Sequence, residues 1–426
     1  MIERAAVLCP LLKGEGPRGR TPEACLNEAR GLAEAIDLEV VHAEICQIRR
    51  PRASSLFGSG QLGRISSLVK ERGIGIAIVD AALTPVQQRN LELAWDCKVI
   101  DRTGLILEIF GARAYTHEGR LQVELAALSY QRSRLVRSWT HLERQRGGYG
   151  FLGGPGETQI EADRRQIGLR INKIRSELED VKRTRALHRN ARRRVSYPVI
   201  ALVGYTNAGK STMFNRLTSA EVLVTDLLFA TLDPSMRALD LPSGRKAILA
   251  DTVGFICDLP ADLIAAFRAT LEEVLTADLV VHMRDISHPD SEAQKLDVHH
   301  VLCQLGLDEA VDTGLIEALN KIDLLDTERR RAVRNQAARN PNSVPVSAAT
   351  GEGCADLLDL LDRRLSQTRR VVEYSLSLED GSPIAWLYSH GEVLSRRDDG
   401  GFAHLRVGLD AADIARFERR ISPRTH

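Results

Sequence analysis

Eight consecutive residues, Gly204-Tyr205-Thr206-Asn207-Ala208-Gly209-Lys210-Ser211, have the composition needed to wrap an oligophosphate. The glycines let backbone N–H groups turn inward around anionic oxygens, the lysine brings a positive charge, and the serine hydroxyl offers a hard oxygen to Mg²⁺. Val199 to Val203 ahead of the loop reads as a buried strand. Thr212 to Leu217 behind it reads as a helix, whose N-terminal dipole favours an anion. That strand–loop–helix context separates a phosphate loop from an ordinary glycine-rich turn. Lys210 is expected on the β- and γ-phosphates and Ser211 on the metal.

A second element, Asp251-Thr252-Val253-Gly254, follows the apolar strand Ala247 to Ala250, 40 residues after Ser211. Asp251 can hold Mg²⁺ directly or through water, and the Gly254 N–H can sense a γ-phosphate. Alone, Asp-x-x-Gly usually marks a turn; its placement after a phosphate loop makes it credible. Thr231, in Phe229-Ala230-Thr231-Leu232-Asp233-Pro234, is the best hydroxyl to complete the Mg²⁺ shell from a mobile loop. Thr225 competes with it, and a loop threonine capping its own backbone is the plain alternative. The expected metal set is therefore Ser211, Thr231 and Asp251, and the residues facing the reacting phosphate are Lys210, Thr231 and Gly254.

The base is read at Asn320-Lys321-Ile322-Asp323, at the end of the strand Leu315 to Leu319. Guanine presents a ring N1–H beside an exocyclic amine, two donors that one carboxylate can accept together. Adenine has no such pair and would leave Asp323 desolvated and unmatched, a large penalty. Lys321 can lay its methylene stem over the ring. Ser347-Ala348, after the strand Ser343 to Val346, fits a turn that gives a backbone N–H to the guanine carbonyl. GTP and GDP are the expected nucleotides, contacted by Gly204 to Thr212, Phe229 to Thr231, Asp251 to Gly254, Asn320, Lys321, Asp323, Ser347 and Ala348. Phe255 stands where many GTPases carry the glutamine that orients the attacking water. A phenyl ring cannot do that, so hydrolysis is expected to be slow until a partner orders the site.

These motifs need scaffolds to hold them. Residues 1–112 alternate strand and helix and suggest a small α/β domain with a parallel sheet. Within it Gly58-Ser59-Gly60-Gln61-Leu62-Gly63 matches a dinucleotide fingerprint, but Arg49 to Arg52 with Pro51 separate it from the preceding strand. A loop opening a helix is favoured over a second nucleotide or RNA phosphate site. Residues 113–195 read as a basic antiparallel helical hairpin. Leu121, Leu125, Leu128, Arg132, Leu135, Trp139 and Leu142 form one seam, and Ile160, Arg164, Ile167, Ile171, Ile174, Leu178, Val181, Arg185 and His188 the other. The Gly147 to Gly156 tip holds six glycines with Tyr149, Phe151 and Leu152. Residues 196–369 form a GTPase domain, a mostly parallel sheet with helices on both faces, and 370–426 a small α+β domain.

The whole chain carries a formal charge of +1, which hides its distribution. Arg113 to Arg194 holds 19 Lys or Arg against 9 Asp or Glu, leaving the remainder acidic. Such polarisation speaks to a polyanionic partner. A basic hairpin with an aromatic, glycine-rich tip suits phosphate contacts along its length and base stacking at its end. Arg132, Arg134 and Arg137 are expected on RNA; a merely solvated coiled coil is the plain alternative. No run approaches the ~20 apolar residues of a membrane span, and Met1-Ile2-Glu3-Arg4 begins no signal peptide. The seven cysteines form no Cys-x-x-Cys pair, so reduced cytosolic thiols are expected and zinc is not. The localisation read from this is cytoplasmic, with peripheral membrane association left open, and the free chain is expected to be a monomer.

The order of these parts resembles the HflX family of ribosome-associated GTPases. The likeness is carried by Phe57-Gly58-Ser59-Gly60, Asp101-Arg102-Thr103, Ile109-Phe110 with Arg113-Ala114, and Gly154-Pro155-Gly156-Glu157-Thr158-Gln159. Gly204 to Ser211, Asp251 to Phe255 with Leu259-Pro260, and Asp285 with His288-Pro289 complete it. The resemblance implies binding to the large ribosomal subunit, the N-terminal region lying on ribosomal RNA, and GTP-linked dissociation of stalled or idle ribosomes. The alternative is an RNA-binding assembly or remodelling factor in which GTP only gates affinity. Gly153 stands where the family commonly has arginine, which shifts the expected tip contact from charge to stacking.

Overall fold

The computed structural model describes residues 3–12, 20–145, 155–192, 197–218, 228–229, 235–257, 271–308, 315–367, 370–409 and 411–421. Residues 147–154 of the Gly-rich tip, and Thr225, Ala230 and Thr231, lie outside them. Apolar strands and capped helices alternate through the first unit: β1 (Arg4–Leu12), α1 (Pro22–Glu34), β2 (Glu39–Ile48), α2 (Ser59–Arg72), β3 (Ile76–Val79), α3 (Pro85–Trp95), β4 (Lys98–Asp101) and α4 (Arg102–Arg113). Helix starts follow side-chain capping. Thr21 accepts from Ala24 N at 3.2 Å ahead of Pro22, and Thr84 forms a reciprocal capping box with Gln87 ahead of Pro85. The four strands pair in parallel in the order β2-β1-β3-β4.

The Gly58 loop opens α2 ten residues past the end of β2, with a short loop pairing Arg52 and Leu56 between them. It is not the immediate strand-to-helix turn that a dinucleotide site needs.

Two long helices follow, α5 (His117–Gln145) and α6 (Pro155–Arg192). Leu121 packs with Ile174 and Leu178, and Arg170 forms a two-point ion pair with Glu124 at 2.6 and 2.9 Å. Further along, Gln131 and Leu135 line one cavity with Asp163, Gln166 and Ile167, so the helices run antiparallel. One of the three arginines expected on RNA is engaged within the protein. Arg134 turns inward to Asp101 Oδ2 at 3.2 Å, and also bonds Gln88 and Tyr130. Asp101 is buried, caps α4 through Gly104 N, and takes the Tyr130 hydroxyl at 2.6 Å, so it recruits the nearest guanidinium. Arg134 therefore joins the hairpin to the first sheet instead of facing RNA.

The third unit contains β5 (Val199–Gly204), α7 (Lys210–Thr218), β6 (Ser235–Asp240), β7 (Lys246–Asp251), α8 (Glu272–Leu275), β8 (Leu279–Asp285), α9 (Ser291–Gln304), β9 (Ile316–Asn320), α10 (Thr327–Arg339), β10 (Ser343–Pro345) and α11 (Cys354–Gln367). Its sheet runs β10-β9-β8-β5-β7-β6, all parallel except β6, which pairs antiparallel to β7. The chain ends with β11 (Arg370–Ser377), α12 (Gly381–His390), β12 (Glu392–Asp399), β13 (Phe402–Leu409) and α13 (Ala411–Ile421), a three-stranded antiparallel sheet with two helices. No described helix is long and apolar enough to cross a membrane.

The first three expected units share one core, whereas the last has a cluster of its own. One cluster joins Val7, Ile106, Phe110 and Ala126 of the first two units to Ala201, Val203, Tyr205, Phe255 and Val301 of the third. Sharing a core couples the position of the first sheet to the loop after β5.

Candidate nucleotide site

Apart from Phe229, the expected phosphate-side residues within the described set gather at the C-terminal ends of β5 and β7, where ligands bind in open α/β sheets. Gly204 and Gly209 have φ of +153° and +90°, and neither tolerates a side chain. A Cβ on Gly209 would lie 2.2 Å from Asn320 Nδ2, in a backbone region that costs other residues ~1–3 kcal/mol. Gly209→Ala is therefore expected to displace Asn320 and to abolish the GDP-dependent rise in melting temperature, as read by thermal denaturation with and without GDP.

Lys210 is buried, and its Nζ donates to the carbonyls of Gly204 and Tyr205 at 3.2 and 2.9 Å. Burial pulls its pKa down to about 8, with Asp251 partly opposing the shift. The Ser211 hydroxyl donates to Asp251 Oδ2 at 2.7 Å. A hydroxyl and a carboxylate thus converge where one hard divalent cation would take both oxygens, a donor set that fits Mg²⁺. Asn207 is exposed in the left-handed region at the loop apex, Thr206 and Ala208 are buried beneath it, and Thr212 is half-buried on the first turn of α7.

Three expected contacts, Thr252, Val253 and Phe229, are spent on structure. Thr252 Oγ1 donates to Leu202 O at 2.6 Å, tying β7 to β5, and Val253 is core. Phe229 packs edge-on against Phe110, ring centroids 4.7 Å apart, in the core shared with the first unit. The Phe255 side chain is 1% exposed in that same core, so no group from this position reaches the phosphates.

On the base side, Asn320 is the joint. Its Nδ2 donates to Ala208 O at 2.8 Å, and its Oδ1 accepts from Ala348 N at 2.9 Å, locking the phosphate loop to the Ser347-Ala348 turn. The Ala348 amide is thus already bonded, and a guanine carbonyl would have to share or replace that bond. Ser347 is fully buried, its Oγ accepting from Thr350 N at 3.1 Å. Lys321 sits at φ +66° with Nζ 2.7 Å from Asp285, which fixes its stem. Asp323 is half-buried on a one-turn 3₁₀ helix, Ile322–Leu324, and makes no hydrogen bond or ion pair among the described residues.

Sequence reasoning missed Arg216, which clamps the same turn by donating to Ala348 O at 2.6 Å and to Ala349 O. It lies six residues past Lys210, and only the fold shows what it reaches. His282, His299 and Glu317 also converge under α9. Lys295 and Arg284 already hold the Glu317 oxygens at 2.5 and 3.0 Å, so this is a buried ion-pair network.

Four family models match in order along the chain. They are described as GTP-binding GTPase N-terminal (residues 23–111), GTP-binding GTPase Middle Region (113–192), 50S ribosome-binding GTPase (199–321) and HflX C-terminal domain (332–425). GTPase HflX of Magnetococcus marinus is 48% identical over 404 residues, covering 94% of this chain and 92% of the relative. The Escherichia coli GTPase HflX is 45% identical over 395 residues, covering 92% and 91%. A Sulfolobus solfataricus GTP-binding protein solved in complex with GDP covers 86% of this chain and 99% of its own at 23% identity and a TM-score of 0.45. Sheet order, phosphate loop and matched GTPase domain define a P-loop GTPase, a GTP hydrolase. The chain belongs to the HflX family of GTPases.

Proposed function

We propose that this GTPase binds the large ribosomal subunit and uses the GTP-bound state to dissociate stalled or idle ribosomes, hydrolysing GTP quickly only in contact with that partner. The observation that carries it is the pairing of a strongly basic hairpin with a hydrolytic site whose position after Gly254 is a buried phenyl ring. The description of one matched family model, 50S ribosome-binding GTPase, supports the same partner.

In this reading the amides from Gly204 to Thr212 cradle the phosphates, and Lys210 holds the β- and γ-phosphoryl oxygens as negative charge develops. Asp323 accepts the two guanine donors, Lys321 covers the ring, and Ser347-Ala348 closes over its carbonyl edge. Ser211, Asp251 and Thr231 would hold Mg²⁺, which neutralises phosphate charge when bound. Gly254 follows the γ-phosphate, and the partner supplies the ordering that Phe255 cannot. The chain is divided into functional units at residues 112, 195 and 369, and it works in the cytoplasm.

The test is GTP turnover by the full chain with and without purified large subunits across a salt series. Stimulation of at least about tenfold is expected, falling as salt rises because phosphate contacts release counterions. Turnover indifferent to the particles, or stimulation indifferent to salt, would overturn the reading.

A further inference from the structure

The turn that follows β10 is held by arginines from two helices. Strands β9 and β10 run side by side in parallel, Ala318 opposite Val344, so Asn320 and the Ser347 to Glu352 turn emerge next to each other. Inside the turn, Ser347 N donates to Glu352 O and Gly351 N to Ser347 O, each at 2.8 Å. Arg330 and Arg334 of α10 pair with the Glu352 carboxylate, the second at 2.6 Å. Arg216, in the last turn of α7, binds backbone instead: its Nε donates to Ala348 O at 2.6 Å and its Nη2 to Ala349 O. Gly351 makes room for the guanidinium, since a Cβ there would lie 3.0 Å from Arg216 Nη1.

Two consecutive carbonyls facing one guanidinium break the alternation of a strand, and the cation offsets the repulsion between their aligned dipoles. No described peptide bond is cis, so the N–H groups of the same two peptides point away from Arg216. Thr350 N is taken by Ser347 Oγ at 3.1 Å, whereas Ala349 N makes no hydrogen bond among the described residues. Ala348 N, one residue earlier, is committed to Asn320 Oδ1 at 2.9 Å. The open amide beside Asn320 is therefore that of Ala349, an exposed residue, and it belongs to the peptide whose carbonyl Arg216 polarises. A peptide whose oxygen accepts a charge-assisted hydrogen bond is a stronger donor at its nitrogen.

We propose that Arg216 is a positioning residue for guanine recognition, holding and polarising the Ala348–Ala349 peptide so that the Ala349 N–H takes the C6 carbonyl of the base. The inference rests on the reading that Asp323 accepts the two guanine donors, and it adds the neighbouring C6 position, where guanine is an acceptor. Adenine brings an amine to that point, a donor facing a donor, so the Arg216 clamp raises the penalty against the wrong base. One helix then serves both ends of the nucleotide, with Ser211 in its first turn and Arg216 in its last.

The test is a ligand–variant cycle on the full chain with Arg216→Gln, Arg216→Lys and, as a control that loosens the turn without touching its carbonyls, Arg334→Gln. Affinities for GDP, inosine diphosphate and 6-thio-GDP, whose sulfur is a poor acceptor, are measured by competition against a fluorescent nucleotide. Arg216→Gln is expected to weaken GDP and inosine diphosphate about 5–30-fold, since both keep the C6 oxygen, and 6-thio-GDP less than about twofold. Arg216→Lys, which keeps one charged donor, should recover part of the loss. Arg334→Gln should leave the ratio of GDP to 6-thio-GDP affinity within about twofold of the unaltered chain. A merely structural clamp would weaken all three nucleotides together and lower the melting temperature. That result, or an Arg216→Gln ratio within about twofold of the unaltered chain, overturns the proposal while leaving Asp323 in its role. Inosine diphosphate lacks the 2-amine, so if it binds the unaltered chain as tightly as GDP, the reading of Asp323 falls and the proposal with it.

Discussion

Lys210→Ala is expected to lower GTP turnover by roughly 10²–10³-fold while leaving the protein folded, because Lys210 is the one cation buried among the phosphate-loop amides. Two features make the separation of activity from folding sharp. The carbonyls that Lys210 serves each keep a backbone partner without it: Gly204 O accepts from Phe255 N, and Tyr205 O from Ala208 N. No buried acceptor is orphaned, so the usual penalty of about 1–3 kcal/mol does not arise. In addition, burial already depresses the pKa of this lysine to about 8, so its charged form is costly in the closed loop. The melting temperature without nucleotide should therefore stay level or rise, while the GDP-induced rise shrinks. Turnover within about tenfold of the unaltered chain would remove Lys210 from the phosphate site.

Asp323→Asn is expected to exchange the base that is read. The carboxylate has no hydrogen bond or ion pair among the described residues, and guanine brings it two donors. An amide can accept only one of them and presents its own N–H₂ to the other, so GDP affinity should fall by roughly 10²–10³-fold, the equivalent of about 3–4 kcal/mol. Xanthine has a carbonyl oxygen where guanine has the amine, and it pairs with that same N–H₂. The variant should bind XDP better than GDP and hydrolyse XTP, measured by competition titration and phosphate release. Asn320 beside it, bonded at both ends, keeps the turn in place. Unchanged GDP affinity would show that the base is read elsewhere.

Several features were legible in the sequence because they are local. Glycine at positive φ beside a lysine at a helix start, an apolar strand ending in Asp251, and threonine–proline helix openings all follow from short-range sterics and hydrogen bonding. The heptad seams announced the hairpin, since packing there repeats along one axis. The antiparallel strand β6 escaped notice because nothing local marks it beyond a short, half-exposed stretch.

The sequence by itself determined the chemistry of this protein: which residues can face phosphate, guanine and metal, and that Phe255 cannot orient water. The tertiary structure alone decided what those residues are attached to. Arg134 looked like an RNA contact and became a partner of buried Asp101, because an unpaired buried carboxylate costs more than a solvated guanidinium gains. Phe229 lay beside the expected metal threonine and became part of a core shared with Phe110. Glu28 and Arg102, some 177 and 155 residues from Tyr205 and Cys257, meet them only after two sheets pack through one continuous core. Spacing along a chain carries no information about such contacts, since they are set by which apolar faces bury one another.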